Sequence, residues 1–274
     1  MPLALQLVYD GSDFHGFQHL PGQRTVQGEL EQALQRLLKQ PCPVVCAGRT
    51  DAGVHAWGQI VSLETELPFA PERLPALLAH HLPPDIILRR YWQLPAGFHA
   101  RFCARARHYR YRLSTQADPF AHRYRWQCGP PLALASLQAA WQQCEGEWDF
   151  SALARPDPNR RSGRLRVFLA QVRPAADGLE LDMIADRFLH TLVRRLVGTA
   201  LDMARGRLPT DYLSAVLSGA HQPTQPEGRL APPQGLYFCR ALYPHSWGLT
   251  VDYPDPLPDP PSLLIPTEQK IWWD

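Results

Sequence analysis

Apolar and polar residues alternate at the start of the chain. Leu3, Leu5, Leu7 and Tyr9 recur with period two, which predicts a β-strand, and Asp10-Gly11 ends it with turn chemistry. From Thr25 the period changes to that of a helix. Val26, Leu30, Ala33, Leu34, Leu37 and Leu38 share one face, Thr25 is placed to cap the N-terminus, and Pro41 and Pro43 stop the run. A short apolar stretch at 44–47 and a strand over 58–64 follow. The next helix is expected over 70–81, entered at Pro71-Glu72 and stopped before Pro83-Pro84. Strands are expected at 86–92 and 109–113. A similar order then repeats more loosely, with a helix over 133–144, strands at 165–173 and 179–184 around Asp177-Gly178, and a helix over 188–203.

This pattern predicts an α+β protein of two related domains. Each is a mostly antiparallel sheet with helices packed on one face, and the two sheets join around a central cleft. The expected divisions are 1–106 and 107–248, followed by a Pro-rich tail at 249–274 that reads as extended or disordered and dispensable for chemistry. No internal sequence repeat accompanies the repeated order of elements. At 274 residues the chain is long enough for either one large core or two modest ones.

Composition narrows the function little, but distribution narrows it more. Hydrophobic residues make up 45% and charged residues 20%, with a formal net charge of +2, ordinary for a soluble domain and too weak a charge to demand a polyanionic partner. Yet 86–117 holds no Asp or Glu while carrying Arg89, Arg90, Arg101, Arg105, Arg107, Arg110 and Arg112. A second acid-free stretch, 158–176, carries Arg160, Arg161, Arg164, Arg166 and Arg173. Lys39 and Lys270 are the only lysines. Genome composition accounts for that ratio more readily than for the clustering, and guanidinium clusters suit phosphates and bases. The six cysteines are scattered without a C-x-x-C pair, which points to reduced thiols. No run reaches the roughly 18 to 20 apolar residues of a membrane span, and the N-terminus lacks a leader pattern. A cytoplasmic protein without membrane attachment is expected.

Three constellations carry candidate chemistry. The first is Gly48-Arg49-Thr50-Asp51-Ala52-Gly53-Val54-His55-Ala56. An Asp before Ala-Gly is usually a turn residue, but a carboxylate beside a guanidinium stays ionised at neutral pH and suits nucleophilic attack or proton abstraction. The second is Arg107-His108-Tyr109-Arg110-Tyr111-Arg112. Strand alternation puts Arg107, Tyr109 and Tyr111 on one face and His108, Arg110 and Arg112 on the other. That reads either as a stacking and phosphate-binding surface for unpaired nucleotides or as a core tyrosine pair beside a solvated charged face. The third runs from Asp186 to Gly198. Phe188, Leu189, Leu192, Val193 and Leu196 form an apolar face, opposite Arg187, His190, Thr191, Arg194 and Gly198. That second face is either solvated surface or the lining of a cleft. Walker, G-x-G-x-x-G, nucleophile-elbow and H-E-x-x-H signatures are missing. A metal site built from His15, Asp51 and His55 lacks a supporting helical His pair or carboxylate cluster.

Taken in order, several motifs resemble those of the tRNA pseudouridine synthase A family. They are Tyr9-Asp10-Gly11 through Phe14, Gly16-Phe17-Gln18 and Thr25-Val26-Gln27; the nonapeptide around Asp51; Phe98-His99-Ala100-Arg101-Phe102; Arg107 to Tyr111; Phe188-Leu189 to Val193-Arg194; and Ala231-Pro232 to Gly235-Leu236. They span about 3 to 243. The resemblance implies a cofactor-free isomerase that converts uridine to pseudouridine at positions 38, 39 and 40 of the tRNA anticodon stem-loop, acting as a homodimer of two-domain subunits with RNA in basic clefts. It implies further that Asp51 is the nucleophilic aspartate, that Tyr109 stacks on the target base, and that Arg49 and Arg194 neighbour the aspartate. Phe17, Leu192 and Asp186 stand where Trp, Met and Asn are common, and Asp186 is expected to bring a negative charge near Arg194. A catalytically inactive RNA-binding or folding factor, and a metal-dependent hydrolase, are the competing readings.

Overall fold

The computed structural model describes residues 2–129, 132–156 and 162–249. The Pro-rich tail beyond Leu249, and Arg160 and Arg161 of the second basic stretch, lie outside them. The first half of the chain supplies β1 (Pro2–Tyr9), α1 (Val26–Leu38), β2 (Val45–Cys46), β3 (His55–Glu64), α2 (Leu74–Ala79) and β4 (Ile86–Gln93). The second supplies β5 (Ala106–Ser114), β6 (Trp126–Gln127), α3 (Leu134–Gln142), β7 (Gly146–Asp149), β8 (Arg164–Ala175), β9 (Gly178–Ala185), α4 (Leu192–Ala204), α5 (Tyr212–Ser218) and β10 (Leu236–Leu242).

The ten strands of the described residues belong to one sheet, whose main path runs β4-β1-β3-β10-β5-β9-β8-β7. Strands of the first half therefore lie on one side and strands of the second on the other, with β10 between them. The pairing is antiparallel except where β10 meets β3 and where β6 meets β5. In β1 the alternation predicts a half-exposed strand, yet Ala4 and Gln6 are as buried as Leu3, Leu5 and Leu7. Both faces of the sheet are covered there.

Local rules explain the boundaries of α1. Thr25 Oγ1 accepts the Gly28 N–H at 3.2 Å, capping α1, and Leu30, Ala33 and Leu34 seat its apolar face in the core. Over 70–81 the chain makes a 3₁₀ turn at Pro71–Arg73 before α2, so the expected helix is split in two. The helix expected over 188–203 begins four residues late, at Leu192. Thr191 has φ 62, which breaks helical geometry. Phe188 packs edge-on against Tyr109 with ring centroids 4.8 Å apart, a tertiary contact that overrides the apolar periodicity. Gly198, expected on the polar face, is buried instead. A Cβ there would lie 2.0 Å from the Arg229 carbonyl oxygen.

Candidate active site

Asp51 lies in the loop between β2 and β3, and the Tyr9–Gln27 segment fixes that loop through its backbone. Phe17 N–H donates to the Thr50 carbonyl at 3.0 Å and Gly53 N–H to the Phe14 carbonyl at 3.2 Å. The Tyr9 hydroxyl and Thr50 Oγ1 are 2.7 Å apart, and Gln59 Nε2 donates to the Gly48 carbonyl at 2.6 Å. Gly16 has φ +92, and a Cβ on it would stand 2.8 Å from the Thr50 carbonyl oxygen. This close approach of two backbones requires glycine.

The Asp51 carboxylate, 22% exposed, meets two side chains from beyond β9. Its Oδ1 is 3.3 Å from His190 Nε2 and its Oδ2 is 3.5 Å from Arg194 Nη1. Arg194 is itself oriented, since its Nε donates to the Ala231 carbonyl at 2.8 Å. Tyr109 is buried, wedged edge-on between Phe188 and Phe238, and its hydroxyl donates to the Arg49 carbonyl at 3.4 Å. Burial pushes its pKa well above that of an ordinary phenol, and the Asp51 charge adds to this. Arg49 is exposed. Three of the four residues singled out from sequence thus meet around one loop through side-chain contacts, and Arg49 joins through its carbonyl.

Arg107 ties this assembly together. Its guanidinium donates to the carbonyls of Ala47, Arg101, Ala104 and Asp186, joining the approach to the Asp51 loop, the segment ahead of β5 and the exit of β9. On the other face of β5, His108 and Arg110 depart from both readings made of it, because they are neither open to solvent nor placed to stack on nucleotides. His108 and Arg110 are buried against Asp182, whose carboxylate lies 2.7 Å from His108 Nε2 and 2.9 Å from Arg110 Nε. Arg110 also reaches Glu180 at 3.1 Å. Asp186 likewise does not approach Arg194 as expected. Its Oδ1 accepts the N–H groups of Arg166 and Arg187 at 3.0 and 2.7 Å, so it closes the bend after β9.

His55 points elsewhere. Its Nδ1 accepts the Gly11 N–H at 3.1 Å, and its Nε2 lies 3.0 and 3.2 Å from the carbonyls of Arg123 and Gln234. Among the described residues no group of three His, Cys, Asp or Glu side chains is arranged to hold a metal ion. A cavity of about 500 Å³ opens beside His55, Trp57, Arg112 and Tyr237, and Asp51 is not part of its lining. Sequence reasoning put His190 on the face of Arg194 but missed its contact with Asp51. Their shared side was the available signal.

The geometry is that of a carboxylate at the meeting of two half-sheets, beside a guanidinium and an imidazole, in a loop that a buried tyrosine also reaches. The family model described as tRNA pseudouridine synthase matches residues 7–102 and 140–244, and the chain belongs to this family. The tRNA pseudouridine synthase A of Geobacillus sp. (strain WCH70) is 36% identical over 240 residues, covering 86% of this chain and 96% of that one. Its counterpart in Xanthomonas euvesicatoria pv. vesicatoria (strain 85-10) is 38% identical over 259 residues, covering 92% and 99%. Among solved structures, a chain of a Cbf5-Nop10-Gar1 complex matches at 9% identity with TM-score 0.32, covering 88% of this chain and 57% of that one, a likeness too loose to bear on function.

Proposed function

We propose that this protein converts uridine to pseudouridine at positions 38, 39 and 40 of the tRNA anticodon stem-loop, with Asp51 as the nucleophile or base. The observation that carries the reading is the placement of Asp51. It is partly exposed, paired with Arg194 and His190, and held in a loop fixed by the backbone of the Tyr9–Gln27 segment. An anionic carboxylate there either attacks C1′ of the ribose or takes the C2′ proton to give a glycal. In both routes the N1–C1′ bond breaks, the base turns, and C5 joins C1′.

Extruding the nucleotide costs a few kcal/mol, and stacking on an aromatic ring returns about 1–3 kcal/mol. In this proposal Tyr109 stacks on the base, and Arg49 with other arginines holds the flanking phosphates. No step asks for a cofactor. In this proposal residues 1–106 carry the carboxylate and 107–248 supply Tyr109 and Arg194. A homodimer and a cytoplasmic location belong to the same proposal. Among the described residues no helix is long and apolar enough to cross a membrane.

The test is pseudouridine formation in an unmodified tRNA transcript. Asp51→Ala is expected to abolish product while tRNA binding falls little. A variant that forms pseudouridine at the normal rate would show the mechanism to be wrong.

A further inference from the structure

Uridine isomerisation, the reading on which this inference rests, needs a base for the proton on C5. When C5 joins C1′ it carries both its original hydrogen and the new bond to the sugar. That proton must leave, its bonding electrons restoring the C5=C6 double bond, and N1 must take up a proton. The C5 proton is then two bonds from the C1′ that Asp51 engages, so its acceptor has to stand beside the Asp51 carboxylate. By this stage Asp51 is an anion again, because its bond to C1′ has broken or the C2′ proton has been returned.

Few side chains around Asp51 qualify. Arg49 and Arg194 are cations with no lone pair to offer. Tyr109 is a phenol kept protonated by burial. His190 is different: its Nε2 is 3.3 Å from Asp51 Oδ1, and its side chain is half exposed. The backbone holds it there, since the His190 carbonyl accepts the Arg155 N–H at 3.2 Å and Thr191 makes the left-handed turn that follows.

We infer that His190 is the catalytic base that removes the C5 proton. Nε2, the ring nitrogen that stands 3.3 Å from Asp51 Oδ1, offers its lone pair as the acceptor, with the ring proton on Nδ1. Taking the proton makes an imidazolium ion, and the adjacent carboxylate stabilises it, as an aspartate does for histidine in hydrolase triads. The half-exposed ring then releases the proton to water, and N1 takes one from water, which completes the isomerisation without any net loss or gain of atoms.

The test uses the full-length protein in single turnovers on tRNA transcripts carrying hydrogen or deuterium at uridine C5. His190→Ala, and His190→Gln, which keeps a polar side chain but no basic nitrogen, are expected to slow product formation about 100-fold with tRNA binding unchanged. In both, the C5 deuterium effect should grow beyond that of the wild type. Added imidazole should accelerate His190→Ala but not Asp51→Ala. A wild-type rate in both variants overturns the assignment. So does a slow rate with neither a larger isotope effect nor rescue by imidazole, because His190 would then only position Asp51. Wild-type protein that makes no pseudouridine would instead overturn the reading of the enzyme itself.

Discussion

Replacing Asp182 by Asn tests how the site-bearing strand β5 is held. The Asp182 carboxylate is fully buried and accepts from His108 Nε2 at 2.7 Å, Arg110 Nε at 2.9 Å and Arg173 Nε at 3.0 Å. Burial alone would raise its pKa, but the His108 and Arg110 contacts outweigh this and hold it below the usual carboxylate range. Asn keeps the shape and one acceptor oxygen. It also removes the charge and turns an N–H₂ group toward donors. Arg110, 1% exposed, keeps its contact with Glu180 at 3.1 Å. Breaking a buried pair from one side destabilises by about 3–5 kcal/mol, and Glu180 places this case at the lower end. For a chain of this size that lowers Tm by roughly 10 °C. Urea unfolding and thermal melting at pH 7.5 measure it. In an Arg110→Met background the same substitution should cost less, because the buried guanidinium is gone. A loss below about 1 kcal/mol in the otherwise wild-type chain would refute the reasoning, since the network would then be no stronger than a surface ion pair.

Three other outcomes follow from particular contacts. Tyr109→Phe removes only a long hydrogen bond to the Arg49 carbonyl and is expected to keep much of the activity, whereas Tyr109→Ala opens a void between Phe188 and Phe238 and destabilises by about 3–5 kcal/mol; equal single-turnover rates for Tyr109→Ala and wild type would remove Tyr109 from the site. Burial raises the pKa of Asp186 despite the Arg166 and Arg187 N–H bonds, and an Asn oxygen accepts those bonds without a charge, so Asp186→Asn should be neutral or stabilising in melting experiments, with turnover unchanged. Burial lowers the pKa values of His55 and His108, against the opposing pull of Asp10 on the first and Asp182 on the second. The unfolded chain takes up these protons at about pH 6.5 while the fold resists, so stability is full above that pH and falls as pH drops below it; a Tm that stays level from pH 7.5 to 5 would contradict both neutral assignments.

Period and punctuation made some of this structure readable and left other parts hidden. Thr25, the α1 stripe and the two prolines after it obey local rules, and local rules decide that helix. The alternation in β1 marks a strand without revealing that Gln6 is buried too, because coverage of the second face depends on distant chain. β10 is the instructive omission. Leu236, Tyr237, Phe238 and Cys239 form a continuous apolar run, the mark of a strand buried on both faces, but four residues after a Pro-Pro-Gln-Gly segment carry no periodicity to count. The Arg107–Arg112 run shows the opposite failure. Its alternation was legible, yet the acids that pair with His108 and Arg110 lie on β9, more than seventy positions away in sequence. Asp51 stood out through its neighbours. His190 did not, because it meets Asp51 only once Thr191 breaks the expected helix.

The segment from Ala231 to Leu236 explains why a site so dispersed in sequence forms as a unit. Ala231 exchanges hydrogen bonds with Arg194, its carbonyl accepting Nε and its N–H donating to the Arg194 carbonyl. The Pro232 carbonyl accepts the Tyr111 hydroxyl at 2.7 Å. Pro233 closes over Gly53, where a Cβ would come within 2.9 Å of its ring, and the Gln234 carbonyl meets His55. Leu236 then enters β10, which pairs with β5 on one side and β3 on the other. One short stretch thus touches the helix that bears Arg194, the strand that bears Tyr109, and the loop that bears Asp51. Phe238, the third residue of β10, extends the same contacts. It forms one wall around Tyr109 and would lie 2.9 Å from a Cβ on Gly48. The carboxylate and its partners come from opposite halves of the chain, so docking of β10 fixes their distance. Completing the sheet and bringing Asp51, Tyr109 and Arg194 together are therefore the same structural event.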